Sequence, residues 1–177
     1  MFNNEIVLSG RLKRLGNIGC WCLALVMLLF LGVQYLTPWK WALVLGESVR
    51  GTIALMDGQT YPSREYNQGD YIVFVWQEDD PNHQTRLKRG MRLIKRVGCT
   101  PGQHLRVTAR DAYCDEQHLG TVRSHNLQGQ PLKPALYDGV VPAGRYFVLG
   151  DHPANYDSRY FGLVPAHWTV GRLIFKL

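Results

Sequence analysis

A lysine in an otherwise apolar segment is the first candidate for a catalytic side chain. Lys95 lies within RLIKRVGCTPG, residues 92–102, whose apolar residues predict a short buried strand. Lysines in strands usually face solvent or extend their ammonium groups towards it. If Lys95 is buried instead, its apolar surroundings and the like charges of Arg92 and Arg96 would lower its pKa. The neutral amine could then act as a general base.

A general base of this kind needs a nucleophile, and several serine hydroxyls are available. Ser48 lies in LVLGESVRGTIAL, residues 43–55, with apolar residues on both sides. A serine close to a glycine is most often a turn residue. Ser63, Ser124 and Ser158 are equally available in principle, so the residues alone do not select the nucleophile.

A dense polar cluster lies near the C-terminus in FVLGDHPANYDSRYFGLVP, residues 147–165. A strand is predicted to end at Gly150, and a short polar loop leads from it to Asp157, Ser158 and Arg159. An exposed ion pair between Asp157 and Arg159 would contribute little to stability. Because apolar runs flank the cluster on both sides, we favour a buried hydrogen-bonded network that supports a site.

The length and charge of the chain limit the class of protein. Its 177 residues correspond to about one domain. The net charge of +6 suggests either nucleic acid or an anionic membrane as a neighbour. The lysines and arginines are spread along the chain, and no basic helix or RNA-binding signature is present. We therefore expect no nucleic acid partner.

An apolar segment near the N-terminus predicts a membrane anchor. No Asp, Glu, Lys, Arg or His occurs between Leu15 and Trp39, and CWCLALVMLLFLG is apolar enough for a transmembrane helix, which we place at 18–38. A cleaved signal peptide is the alternative, but no small-x-small cleavage site follows. The basic residues of segment 1–17 predict that it is cytoplasmic, which makes 39–177 an extracytoplasmic domain.

The cysteines allow three interpretations. Cys99 and Cys114 fall in the exported part, and a disulfide between them is the first interpretation for an oxidising compartment. Two free thiols are the second. A zinc site with His104 and His118 is the third, although the usual close pair of ligands is absent.

Beyond the anchor, short β-rich runs alternate with turn residues, which predicts a mainly β fold of antiparallel sheets or a barrel. The runs are DYIVFVW, MRLIKRV, HLRVTA, RYFVLG and TVGRLIFKL. The run GTVRSHNLQGQPL lacks periodicity, and we place it in a β-rich excursion from the main sheet over about residues 104–140. The charged loop QEDDPNHQTRLKRG, residues 77–90, is predicted to be a solvated hairpin tip.

Three of these segments resemble the motifs of type I signal peptidases. GDHPANYDSRYFGLVP resembles the C-terminal motif of that family, RLIKRVGCTPGQ its lysine motif, and GESVRGTI its nucleophile motif. The last of these places Ser48 at the serine and Thr52 at the threonine. The motifs occur in the family's order behind one predicted transmembrane helix and extend across the exported domain. The resemblance implies a signal-peptidase-like antiparallel β-sheet or barrel catalytic domain.

The resemblance also implies a mechanism. Lys95 would take the proton of Ser48 while the serine Oγ attacks a peptide carbonyl, and the backbone N–H of Ser48 would bind the oxyanion. Asn155 falls where a serine commonly orients the lysine. Further support is expected from the polar cluster of Asp157, Ser158 and Arg159. No cofactor and no metal ion are implied.

Besides Asn155, the sequence departs from the family pattern at Val49, Gly51 and Gln103, and it differs from some relatives at Gly46. Val49 stands for the usual Met and Gly51 for the usual Pro, so the turn around Ser48 is less constrained. Gly46 offers no hydroxyl as a second oxyanion donor. Gln103 stands where the lysine motif usually ends in Asp. We expect these changes to affect substrate range more than catalysis.

A finer resemblance is to the TraF-type conjugative-transfer peptidases, which trim pilin precursors for type IV secretion. It rests on DSRYFG and on LGTVRSHNLQGQPL. It implies a pilin-like precursor as substrate, the inner membrane and the conjugation machinery as partners, and a catalytic domain on the periplasmic side. The alternatives are a general signal peptidase, a pilin cyclase and a catalytically silent pilus-assembly factor.

Overall fold

The computed structural model describes residues 3–36, 39–43, 53–58, 64–82 and 87–176. Ser48 therefore lies outside the described residues, as do the other motif positions around it, Gly46, Val49, Gly51 and Thr52. The chain divides into two compact units, Met1–Trp39 and Lys40–Leu177.

The first unit is one long helix, α1 (Asn3–Leu36). It is rich in leucine, which favours helix, and it ends two residues before Pro38, where proline disfavours the helical conformation of its predecessor. Its large apolar side chains are exposed along the whole stretch from Ile18 to Leu36. Among the residues that the structure describes, no helix is long and apolar enough to cross a membrane.

The second unit is built of strands, and every strand pairing that the structure describes in it is antiparallel. The strands are β1 (Trp39–Leu43), β2 (Ile53–Asp57), β3 (Tyr71–Val75), β4 (Arg92–Cys99), β5 (His104–Val107), β6 (Asp111–Cys114), β7 (Gln117–Thr121), β8 (Tyr137–Val140), β9 (Arg145–Leu149), β10 (Val164–Pro165) and β11 (Thr169–Lys176). A one-turn helix, α2 (Ser158–Phe161), and a 3₁₀ turn, Ala166–Trp168, complete the unit. The prediction of a mainly β, antiparallel fold is confirmed.

The strands form two sheets. The larger has seven strands in the order β1-β2-β11-β3-β4-β9-β10, and the smaller has four in the order β7-β6-β5-β8. The smaller sheet runs from His104 to Val140, over the residues assigned above to the excursion.

Strand β9 supplies both apolar cores. Tyr146 and Val148 lie in one cluster with residues of β3 and β4, while Phe147 and Leu149 lie in a second cluster with residues of β5 and β6. Successive side chains of a strand point to opposite faces, so the part of a strand that lies between two cores is apolar on both faces, as residues 146–149 are. This explains why RYFVLG shows no alternation of polar and apolar residues.

A disulfide joins the two sheets. Cys99 of β4 is bonded to Cys114 of β6, and their Cα atoms are 5.6 Å apart, as expected for this bond. The first interpretation of these cysteines is confirmed, and the free-thiol and zinc interpretations are wrong. The crosslink fixes the end of the strand that carries Lys95 to the smaller sheet.

The loop between β3 and β4 differs from the solvated hairpin tip that its charges predict. Asp80 is buried, and its carboxylate accepts a 2.5 Å hydrogen bond from the Tyr156 hydroxyl. The Asn82 side chain donates to the same hydroxyl and accepts a bond from the backbone N–H of Lys133. The described part of this loop is thus anchored to the segment just before α2 and to the connection between β7 and β8, which the charge pattern did not reveal.

Candidate active site

Lys95 lies in the middle of the larger sheet. Strand β4 has β3 on one side and β9 on the other, and Lys95 is paired with Ile72 of β3. Leu93 and Val97, two residues away in either direction, share its face of the strand and pack in the first apolar cluster. Only 2% of Lys95 is exposed, so its ammonium group is not a solvated surface charge.

Burial lowers the pKa of Lys95, because the charged amine loses its hydration. The negative charge of Asp157 acts in the opposite direction and raises the pKa, the positive charge of Arg159 lowers it further, and the negative charge of Asp151 raises it. The net direction is downward, as a general base requires.

The expected influence of Arg92 and Arg96 on that pKa is wrong. Neither guanidinium is among the groups that shift the pKa of Lys95. Arg96 adjoins Lys95, so the alternation of the strand turns its side chain to the opposite face, where its Nε lies 3.7 Å from Asp151 Oδ1. The cationic neighbour that acts on Lys95 is Arg159, which lies more than sixty positions further along the chain.

The loop between β9 and α2 is closed by the polar cluster. Asp157 is the N-cap of α2, and its Oδ2 accepts a 3.0 Å hydrogen bond from the backbone N–H of Gly150. Ser158 Oγ accepts a 2.9 Å bond from the N–H of Val148. Both side chains are fully buried, so they satisfy backbone groups at the end of β9 that water cannot reach. The ends of the loop are therefore tied together next to the lysine strand.

Arg159 links this loop to the smaller sheet. Its Nε and Nη2 bind the two oxygens of Asp157 at 2.8 and 2.7 Å, while its Nη1 donates to the backbone carbonyl of Thr121 at 2.7 Å. Burial lowers the pKa of Arg159, but its hydrogen bonds with Asp157 and the charge of that residue outweigh this effect and raise it overall. The buried network predicted for Asp157, Ser158 and Arg159 is present, and the exposed ion pair is not.

Asn155 packs on the backbone of the same loop. A Cβ atom added to Gly150 would lie 2.6 Å from Asn155 Cγ, so only glycine leaves room for this amide. Its Nδ2 is buried and has no hydrogen-bond partner among the described residues. Its backbone carbonyl accepts a 3.3 Å bond from Arg159. The described contacts of the Asn155 side chain do not include Lys95, and its role in orienting the lysine stays a prediction.

The Gln103 side chain caps the turn that follows β4. Its Oε1 accepts bonds of 2.9 Å from both the N–H and the hydroxyl of Thr100, and its Nε2 donates to Asp115 at 3.0 Å. The turn after β4 is thus closed by an amide oxygen, the same type of acceptor that an Asp carboxylate would offer. This departure from the family pattern leaves the lysine strand in place.

Two contributors to the site were missed by sequence reasoning. Asp151 lies inside the C-terminal motif GDHPANYDSRYFG, but no role was predicted for it, although its charge acts on the pKa of Lys95. The other is the backbone carbonyl of Thr121, which no side-chain pattern could identify. Both border a cavity of about 130 Å³ between β7 and the loop after β9, which Arg96 and Arg159 also line.

Among the described residues, no group of three or more His, Cys, Asp or Glu side chains is placed to hold a metal ion.

A family model for signal peptidase, peptidase S26, matches residues 17–177 of the chain. The chain belongs to the signal peptidase S26 family. The resemblance inferred from its three motifs is confirmed, and the family is one of serine-type endopeptidases.

Individual relatives agree with this membership. A probable signal peptidase I-2 from Synechocystis sp. is 32% identical over 121 residues, which is 66% of this chain and 50% of that protein. The conjugal transfer protein TraF of Agrobacterium fabrum is 37% identical over 82 residues, which is 45% of each chain. This S26 chain therefore spans about half the length of each of these two relatives.

A crystal structure of a signal peptidase I from Enterococcus faecalis V583 is also similar. It is 26% identical, and the match covers 62% of this chain and 97% of that chain with a TM-score of 0.41.

Proposed function

We propose that this S26 chain is a serine endopeptidase that uses Ser48 and Lys95 as a catalytic dyad to cleave exported precursor proteins. The observation that carries the proposal is the burial of Lys95 at the centre of β4, which lowers the pKa of its amine. A lysine that remains neutral near physiological pH is what a serine nucleophile needs as a base. The nucleophile motif GESVRGTI supports Ser48 as its partner.

In the proposed reaction, the neutral amine of Lys95 accepts the proton of Ser48 Oγ as this oxygen attacks the scissile carbonyl. Protonated Lys95 then donates that proton to the leaving amine. In the second step Lys95 takes a proton from a water molecule as this water attacks the ester carbonyl, and Lys95 then returns the proton to Ser48 Oγ as the acyl group leaves. The backbone N–H of Ser48 stabilises the oxyanion in both steps, and the Asp157–Arg159 pair fixes the loop beside the base.

The dyad is tested with the full-length protein in detergent micelles and a precursor polypeptide. We expect Ser48→Ala and Lys95→Ala to abolish cleavage. Lys95→Arg should be inactive as well, because a guanidinium does not give up its proton. Ser124→Ala and Lys133→Ala, at exposed positions in the connection between β7 and β8, are the matched controls and should keep full activity. Cleavage by Ser48→Ala or Lys95→Ala would contradict the proposal.

We further propose that 18–38 anchors the chain in the inner membrane, with the peptidase domain on the periplasmic side. The support is the apolar sequence and the exposure of its side chains, for example 76% for Trp21 and 65% for Leu28. The Cys99–Cys114 disulfide supports an oxidising compartment for the domain. Retention of the chain in membranes after an alkaline wash, with protease access to the domain only from the periplasm, is the expected result. Release by the wash would contradict the anchor.

For the substrate, we propose the pilin precursor of a conjugative type IV secretion system. The support is the similarity to the conjugal transfer protein TraF of Agrobacterium fabrum. A general signal peptidase is the second candidate, supported by the similarity to the Synechocystis protein. Co-expression with a pilin precursor and, separately, with an unrelated secretory precursor distinguishes them. Processing of both would favour the general enzyme, and a pilin product lighter by one further water would indicate cyclisation.

A further inference from the structure

Three elements of the larger sheet meet at the carboxylate of Asp151. This residue follows the end of β9 by two positions, and 14% of its side chain is exposed. The hydroxyl of Tyr71, the first residue of β3, donates a 2.7 Å hydrogen bond to Asp151 Oδ1. The same oxygen lies 3.7 Å from the Nε of Arg96 on β4.

The pairing of β3 with β4 brings Tyr71 and Arg96 together beside Asp151. Tyr71 is the cross-strand partner of Arg96, so the two side chains share one face of the sheet. Ile72 and Lys95 form the next pair and occupy the opposite face. The phenol of Tyr71 can therefore reach the loop after β9 while Lys95 stays enclosed in the apolar cluster.

The position of the Asp151 carboxylate affects the pKa of Lys95. Its carboxylate acts on Lys95 and opposes the lowering of the lysine pKa by burial. Among the described residues, the other charged groups that act on Lys95 are Asp157, which raises the pKa, and Arg159, which lowers it. Asp157 and Arg159 neutralise one another in a buried pair, whereas Asp151 is partly open to water.

We propose that Tyr71 is a positioning residue that holds the Asp151 carboxylate against the sheet through its hydrogen bond, and that it thereby sets the basicity of Lys95. The inference rests on the proposed role of Lys95 as the base. Without this donor the partly exposed carboxylate is held less closely to the sheet, so water screens its charge more and it acts less on a buried amine.

The sign of the effect follows from these charges. Loss of the Tyr71 hydroxyl weakens the influence of Asp151, which raises the pKa of Lys95, so that pKa falls further. Lys95 then becomes neutral at lower pH. For Tyr71→Phe we expect its titration midpoint to move to lower pH by on the order of half a unit. Asp151→Asn, which removes the charge, should move it in the same direction and further.

The experiment measures the titration of the Lys95 amine directly, by NMR of the lysine-labelled full-length protein in detergent micelles. The Lys95 signal is assigned by its absence in Lys95→Arg. The pH dependence of kcat/KM provides the second readout, and its acid limb should move with the NMR midpoint. Tyr137→Phe is the matched control, since that hydroxyl donates to the carbonyl of Val140 in the smaller sheet. Its midpoint should equal that of the wild type.

The double variant Tyr71→Phe with Asp151→Asn tests whether Tyr71 acts through Asp151. If it does, the double variant titrates like Asp151→Asn alone. An unchanged Lys95 midpoint in Tyr71→Phe, or equal additive shifts in the double variant, would overturn the inference. If Tyr71→Phe does not fold, an Asp151→Asn variant with an unshifted Lys95 midpoint overturns it in the same way. A shifted midpoint in a protein that cleaves no precursor would instead leave the inference standing and reject the proposed function.

Discussion

Arg159 and Asp157 form a bidentate ion pair that is almost completely buried, with 3% and 0% of their side chains exposed. A buried pair of this kind is strongly coupled, because removal of one member leaves the other as an uncompensated charge. The pair also spans the two sheets, through Gly150 at the end of β9 and Thr121 at the end of β7.

The first prediction concerns this pair. Asp157→Asn leaves the Arg159 guanidinium buried without its counter-charge, and we expect the free energy of unfolding to fall by about 3–5 kcal/mol. The double variant Asp157→Asn with Arg159→Met should recover part of that loss. Urea denaturation followed by circular dichroism measures both.

The exposed pair of His104 and Asp138 provides the control for this prediction. Its side chains are 53% and 70% exposed, so Asp138→Asn should change the free energy of unfolding by less than about 1 kcal/mol. If the double variant at Asp157 and Arg159 is less stable than Asp157→Asn alone, the two charges are not coupled in the way the structure indicates.

The second prediction uses the lowered pKa of Lys95. Between that lowered value and 10.5, the unfolded chain keeps a proton that the folded protein has lost, so the stability of the wild type rises with pH in this window. Lys95→Met has no such titration. The variant should be more stable than the wild type below the window, by about 1.4 kcal/mol for each unit of pKa shift, and the difference should shrink as the pH rises. Thermal melts across this range measure it.

A constant difference between Lys95→Met and the wild type over the whole pH range would contradict the burial of a titrating amine. Lys133→Met is the matched control, because Lys133 is exposed. Its stability should follow the wild-type curve in parallel.

The sequence identified Lys95 as a candidate base, but it did not predict the charged residues that act on this lysine. A lysine between Leu93 and Val97 is compatible with burial, and the neighbouring motifs made a catalytic role the better hypothesis. Arg92 and Arg96 are adjacent in sequence, yet the alternation of a strand separates adjacent side chains, and Asp151, Asp157 and Arg159 reach the lysine only through the pairing of β4 with β9.

Contacts between residues that are distant in sequence also explain why the prediction for the charged loop before β4 failed. The acidic and basic residues in 77–90 indicate exposure on average, and Asp80 is buried because Tyr156, far away in the sequence, supplies a hydroxyl donor. The disulfide was predictable because only two of the four cysteines, Cys99 and Cys114, lie beyond the apolar N-terminal segment. Long-range polar contacts have no comparable local signal, since they depend on which loops meet after folding.

The third prediction concerns the crosslink between the sheets. Replacement of both Cys99 and Cys114 by Ala removes a bond between residues separated by 15 positions. We expect the free energy of unfolding to fall by about 3 kcal/mol, and amide hydrogen exchange to accelerate first in β5 and β6. Cys20→Ser with Cys22→Ser is the matched control in α1, where both thiols are exposed, and should leave the exchange of the domain unchanged. Equal protection of β5 and β6 in both double variants would show that the disulfide does not hold the smaller sheet.

The last prediction separates the packing role of Asn155 from its expected role beside the lysine. In Gly150→Ala the new Cβ would lie 2.6 Å from Asn155 Cγ, so the amide must leave its place. We expect a loss of about 1–3 kcal/mol in stability, as for other overpacked sites. Gly150→Ala with Asn155→Gly removes the whole clashing side chain, including the Asn155 Cβ that lies 2.5 Å from the new atom, and should recover much of that stability. If Asn155 orients Lys95, the double variant regains its melting temperature but not its kcat, whereas recovery of both would show that the amide only fills space.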